Sequence, residues 1–196
     1  MAVTRQQFEA GITYEAFKAH MTRNQERLIA NEQRIRIDPD DLDAFRNLPR
    51  TLKVIAIAED WCADVIANLP ILARLAEDSG KLDVRIVARD SSDLIDSYLR
   101  RGFRSIPVFI FLDHDYQEVG VFHERPDSVT AQRVEQRARI FAEHPELGSP
   151  DAPVDQMTDA QRATYQQLVA AARDATFDWA NNEVIGELRA IVARAV

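Results

Sequence analysis

The chain has 196 residues, of which 46% are apolar and 29% are charged. This length suits one compact domain with helical additions rather than two ordinary domains, and the mixture of apolar and charged residues excludes wholesale disorder. The formal net charge of −8 repels phosphate backbones, so we expect no nucleic-acid partner.

Targeting and cofactor signals are scarce in this sequence. No stretch approaches the roughly 20 apolar residues that a membrane span needs, and the first ten residues lack a signal-peptide pattern. We therefore expect a cytoplasmic protein without a membrane partner. Cys62 is the single cysteine, so the chain forms no internal disulfide. The four histidines lack ligand spacing, and we expect no metal site.

The first 49 residues are predicted to form an N-terminal helical extension. Apolar residues recur at helical spacing between Thr13 and Arg36 and predict one long amphipathic helix. The Asp38–Asp41 segment supplies capping carboxylates for a short helix that runs to about Asn47.

Residues 50–145 alternate between strand and helix patterns. Strands are predicted at 52–58, 82–88, 108–112 and 118–122, and helices at 63–78 (interrupted at Pro70), 91–101 and 128–143. The first two crossovers predict parallel strands, and the final hairpin adds an antiparallel edge. The pattern predicts an α/β fold with a mixed four-stranded sheet flanked by helices.

The C-terminal residues 146–196 follow a proline-rich joint. Two further helices are predicted, from about Asp155 to Asp174 and from Thr176 to Ala195. We expect these helices to form a hairpin packed on the core, so that the whole chain is a single domain.

Two short motifs carry the functional information. Trp61-Cys62 lies where the first strand meets its helix, and Ile106-Pro107 opens the third strand. A cysteine in the first turn of a helix lies near unpaired N–H groups and the positive end of the helix dipole, which favour a thiolate. The alternative is that Cys62 simply fills the strand–helix junction as a small apolar residue.

This pairing of motifs in this element order resembles the thioredoxin family, over residues 52–122 and the helix that follows. The resemblance implies a thioredoxin-like fold in which Pro107 is cis and lies against Cys62. It also implies a substrate groove formed by Trp61, Pro107 and the backbone of Ile106. Without the resemblance, Pro107 would be interpreted as an ordinary trans proline at the start of a strand.

The sequence departs from the family at two positions. The family's second, resolving cysteine falls on Val65, and its buried carboxylate falls on Ala56. One cysteine cannot resolve its own mixed disulfide, so the dithiol mechanism is excluded. Glu59, Asp60 and Asp64 surround Cys62 in sequence and oppose a thiolate. Weighing them against the helix dipole, we predict a modestly lowered pKa for Cys62.

Arg100, Arg101 and Arg104 form the basic cluster of this acidic chain. If the fold is thioredoxin-like, Arg104 lies in the loop that leads to Pro107. There it would stabilise a thiolate or bind the carboxylate of a small thiol such as glutathione. The alternative for all three arginines is a solvated helix end, where cations complement the dipole.

Two functions fit these residues. The first is monothiol thiol–disulfide exchange or deglutathionylation through Cys62, with glutathione or another small thiol as co-substrate and no further cofactor. The second is a redox-inert binding module that holds an extended peptide or protein segment in the same groove. A third hypothesis is an intermolecular disulfide through Cys62. The sequence does not predict the oligomeric state.

Overall fold

The computed structural model describes residues 3–91 and 93–195. Contacts divide the described chain into two compact units, Pro126–Ala180 and the remainder. The sheet and the residues around Cys62 all belong to the larger unit. Up to residue 125 its helices and strands are, in order, α1 Arg5–Glu9, α2 Tyr14–His20, α3 Gln25–Arg34, α4 Pro39–Arg46, β1 Leu52–Ile57, α5 Ala63–Ser79, β2 Leu82–Val87, β3 Val108–Leu112 and β4 Glu118–His123.

The sheet is four-stranded and mixed, with the order β2-β1-β3-β4. β1 pairs with β2 in parallel and with β3 in antiparallel fashion. β3 and β4 form the antiparallel hairpin that the sequence predicts. All five residues of β3 are buried, as expected for a strand covered on both faces. The predicted fold class, a thioredoxin-like sheet flanked by helices, is confirmed.

The direction of β3 differs from the prediction, which made it parallel to β1. Ile57 pairs with both Val87 and Val108, so β1 and β2 end at the edge of the sheet where β3 begins. Among its described residues, the connection from β2 to β3 contains a five-residue 3-10 helix, Asp93–Ser97, in place of the predicted α-helix. It therefore stays at that edge, whereas a parallel strand needs a crossover back along the sheet.

The predicted long helix over 13–36 is broken into α2 and α3. Asn24 adopts a left-handed conformation at φ 56°, and the Asp60 carboxylate accepts hydrogen bonds from the backbone N–H groups of Thr22 and Arg23. These two backbone donors bond to a side chain from another part of the chain instead of to a preceding helical turn. Periodicity alone misses such a break because the apolar spacing continues across it.

The helix after β1 runs through Pro70 without interruption, contrary to the prediction. α5 has 17 residues, and Pro70 lies buried inside it. It ends where predicted, at Gly80, whose φ of 65° suits a residue without a Cβ.

The N-terminal helices pack on this sheet and on α5. Ile12 forms an antiparallel bridge with Ile86 on the outer edge of β2, and the Asn31 amide donates to the Ile66 carbonyl of α5. Gly11 precedes this bridge, and a Cβ at that position would lie 2.7 Å from the Cβ of Arg85. The close approach explains why glycine stands there.

The smaller unit, residues 126–180, contains α6 Asp127–Glu143, α7 Asp159–Ala175 and the start of α8, which spans Phe177–Val192. Its core consists of Ile140, Phe141, Leu147 and Met157. The boundaries predicted for an N-terminal extension, a core and a C-terminal hairpin within one domain stay a prediction.

Candidate functional site

Cys62 lies at the N-terminus of α5, as the sequence predicts. It is the N-cap residue, with extended backbone dihedral angles of φ −85° and ψ 120°. Its thiol is half-buried and donates a hydrogen bond to the carbonyl oxygen of Ile106 over 3.3 Å. The Ile106–Pro107 peptide bond is cis, which confirms that prediction. The fold therefore brings the two sequence motifs, 44 residues apart, into direct contact.

The surroundings of the thiol favour its neutral form. Burial is the largest effect and raises the pKa of Cys62, and the carboxylates of Asp64 and Glu124 raise it further. The backbone amides of Val65 and Asp64 act in the opposite direction without reversing the shift. The predicted lowering of the pKa of Cys62 is therefore wrong. The sequence did not indicate how deeply the Cys62 thiol is buried. It also did not indicate that Glu124, 62 residues further along the chain, acts on this thiol.

The positions that would complete a dithiol mechanism belong to the core. Val65 is fully buried in α5. Ala56 is also fully buried and pairs with Ile86 on one side and Phe109 on the other. Apolar side chains thus replace both the resolving thiol and the proton-transferring carboxylate.

Two of the three acidic residues predicted to oppose a thiolate are engaged elsewhere. The Asp60 carboxylate accepts three hydrogen bonds from Thr22 and Arg23. Desolvation raises the pKa of Asp60, but these hydrogen bonds together outweigh it, so the pKa is lowered. Glu59 accepts a hydrogen bond from the backbone N–H of Arg89 over 2.8 Å. Asp64, which is buried, is the one of the three that raises the pKa of Cys62.

An arginine that the sequence did not single out lies beside the groove. The guanidinium of Arg89, just after β2, stacks over the ring of Trp61 at 4.9 Å, and Trp61 is 45% exposed. The hydrogen bonds that Arg89 donates to the Asp90 carboxylate are the largest effect raising the pKa of Arg89, and the charges of Asp90, Glu59 and anionic Cys62 raise it further. Arg89 is thus close enough to respond to the charge on the sulfur.

Arg104 forms ion pairs with the surrounding acids. Its guanidinium binds both carboxylate oxygens of Asp96, at 2.7 and 2.6 Å, and contacts Asp90 at 3.4 Å. Of the predicted basic cluster, Arg100 turns inward and donates to the carbonyls of His123 and Arg125. A ligand-binding role for Arg104 stays a prediction.

The residues after β4 contact both α5 and the cis peptide bond. The N–H of Glu124 donates to the carbonyl of Pro107 over 2.7 Å, which fixes this segment beside the cis peptide bond. The Arg125 guanidinium pairs with Asp64 and with Glu124. No motif marked these residues in the sequence, because their role depends on the pairing of β4 with β3.

Comparisons with known proteins agree with this geometry. The sequence model of a family described as thioredoxin matches residues 11–139, about two thirds of the chain. The chain belongs to the thioredoxin family. A search of curated proteins gives no match for this thioredoxin-family chain.

Two solved structures share the fold of this thioredoxin-family protein. A Pseudomonas aeruginosa protein of unknown function, PA1234, superposes with a TM-score of 0.67 at 19% identity, and all of both chains is covered. An HIV epitope-scaffold superposes with a TM-score of 0.64 at 17% identity, covering 99% of this chain and 100% of the scaffold. At these identities the likeness concerns the fold alone.

Two further properties of this thioredoxin-family protein follow from the described residues. Within 3–91 and 93–195, no helix is both long and apolar enough to cross a membrane. Over the same ranges, no three His, Cys, Asp or Glu side chains come together in a way that would hold a metal ion.

Proposed function

We propose that this protein is a thioredoxin-fold binding module that holds an extended peptide segment of a partner protein without exchanging disulfides. The groove lies between Trp61, Cys62 and the Ile106–Pro107 loop. The observation that carries the proposal is the hydrogen bond from the Cys62 thiol to the Ile106 carbonyl. A donor must keep its proton, so this contact favours the neutral thiol over the nucleophilic thiolate.

Three further observations support binding over catalysis. Burial and two carboxylates raise the pKa of Cys62, and the position of a resolving cysteine is taken by Val65, which is fully buried. Trp61 remains exposed and is oriented by the Arg89 guanidinium. Exposed tryptophans held in one orientation are typical of binding hot spots.

A peptide selected from a random phage-displayed library provides the test. We expect a selected peptide to bind the Cys62→Ser variant as tightly as the wild type, because serine retains a donor for Ile106. We expect Trp61→Ala to weaken binding by about tenfold or more. Trp179→Phe is the matched control, since it removes a tryptophan remote in sequence from the groove, and it should leave the affinity unchanged.

The proposal is overturned if no peptide is selected. It is also overturned if every selected peptide contains cysteine and is released from the wild type by dithiothreitol, because the groove would then act through a mixed disulfide.

Monothiol exchange is the second candidate, and one observation favours it: Cys62 is only half-buried, with the amides of Val65 and Asp64 favouring the thiolate. In this reaction the Cys62 thiolate attacks the glutathione sulfur of a mixed disulfide and releases the partner's thiol. A second glutathione thiolate then attacks the Cys62–glutathione disulfide, which yields oxidised glutathione and regenerates Cys62. Turnover of a glutathionylated peptide that disappears in Cys62→Ser would favour this candidate.

A further inference from the structure

The two residues after β4 have an unusual and firmly held backbone. Glu124 has a φ of 59°, a left-handed conformation that is uncommon for residues other than glycine. Two neighbours hold it: its N–H donates to the Pro107 carbonyl over 2.7 Å, and the Asn68 amide donates to its carbonyl over 2.8 Å. The next residue is held as well, since Arg100 donates to the Arg125 carbonyl over 2.8 Å. Such conformations cluster at functional sites, where the surroundings enforce them.

This backbone directs the Arg125 guanidinium to two carboxylates. Arg125 pairs with Asp64 in the first turn of α5 and, over 2.7 Å, with Glu124. The three side chains are only 12–22% exposed, so water screens their charges weakly. Asp64 and Glu124 are the two carboxylates that raise the pKa of Cys62. Arg125 pairs with both of them, and Arg100 pairs with Glu124 over 3.8 Å.

We propose that Arg125 is a positioning residue that governs the ionisation of Cys62 by holding Asp64 and Glu124 and offsetting their charge. This control of Cys62 would regulate the groove, and its biological meaning rests on the proposed function. Among the other charged groups, Arg89 pairs with Asp90, Glu59 accepts from the Arg89 backbone, and Arg100 pairs with Glu124 over 3.8 Å. Arg125 is the residue that pairs with both Asp64 and Glu124, so its loss should change the field at the sulfur through both carboxylates.

The test is the pH dependence of iodoacetamide alkylation of folded Cys62. We expect Arg125→Met to raise the apparent pKa of Cys62 by about one unit, which slows alkylation at neutral pH about tenfold. Arg125→Lys should restore most of the wild-type profile, and Asp64→Asn should shift the pKa downward. Arg189→Met removes a different arginine–aspartate pair, with Asp41, and should leave the profile unchanged.

A merely structural ion pair would predict another result, in which the variants lose stability while the pKa of Cys62 stays constant. That result in both Arg125→Met and Asp64→Asn overturns the proposal. If Arg125→Met does not fold, Asp64→Asn decides alone, since an unchanged pKa refutes the proposal and a lowered pKa supports it. Peptide binding does not enter this readout, so failure of the proposed function is recognised separately.

Discussion

The sulfur of Cys62 and the carbonyl oxygen of Ile106 are 3.3 Å apart, and the thiol is the donor between them. This contact joins the N-terminus of α5 to the loop that precedes β3. The hydrogen bond also requires the thiol proton, which Cys62 would have to lose to become a nucleophile. The chemistry of the groove therefore depends on how strongly the protein retains that proton.

The first prediction is that folded Cys62 titrates above the value of about 8.5 that is usual for a free cysteine, because burial and nearby carboxylates raise its pKa. Alkylation rates measured against pH on folded protein give the midpoint, and urea-unfolded protein is the control. The raised pKa contributes stability below the unfolded value, and this contribution is lost as the pH rises through the folded value. A folded midpoint below the unfolded one would contradict this account.

The second prediction concerns Asp60, whose carboxylate ties the α2–α3 loop to the loop before Cys62. Asp60→Ala should lower the free energy of unfolding by about 1 kcal/mol, since partial exposure weakens charged hydrogen bonds. Urea denaturation measures the loss, and Asp43→Ala, which breaks an exposed pair with Arg46, is the control.

The effect of Asp60 should also depend on pH. Its lowered pKa means that its contribution is present above the unfolded pKa of about 3.9 and is lost as the pH falls through the folded value. Wild type and Asp60→Ala should therefore converge in stability in acid. A difference that persists unchanged at low pH would show that the carboxylate charge is not responsible.

The third prediction separates two arginines of the basic cluster. Arg100 donates to the His123 and Arg125 carbonyls, so Arg100→Ala should cost about 2 kcal/mol of unfolding free energy. The pairs of Arg104 with Asp96 and Asp90 are exposed, and Arg104→Ala should leave stability near that of the wild type. Thermal and urea unfolding measure both, and equal losses would refute the distinction.

The fourth prediction is that the wild type fails to reduce insulin disulfides with thioredoxin reductase as the electron source, because it lacks a resolving thiol. Val65→Cys should confer weak activity, limited by the apolar Ala56 and by the burial of position 65. Insulin turbidity measures both proteins, with Val65→Ser as the control for disturbed packing. Wild-type turnover like that of a dithiol thioredoxin would show that the mechanism is misassigned.

The sequence alone determined the fold class, the edges of most strands and the position of Cys62. These features follow from local patterns, namely an apolar run at β1, helical spacing in α5 and the Ile106–Pro107 pair that opens β3. Membership of the thioredoxin family could be inferred from two motifs in the correct order. That the chain lacks a resolving thiol could be inferred from the identity of residue 65 alone.

The tertiary structure decided which charged groups surround Cys62. Asp60 lies two residues before Cys62 in the sequence, but its carboxylate binds Thr22. Glu124 and Arg125, in contrast, reach the site from the end of β4. The upward direction of the pKa shift at Cys62 depends on burial first, and then on the carboxylates of Asp64 and of the distant Glu124. Electrostatic interactions act through space and vary with solvent exposure, so neighbours in sequence could not predict them.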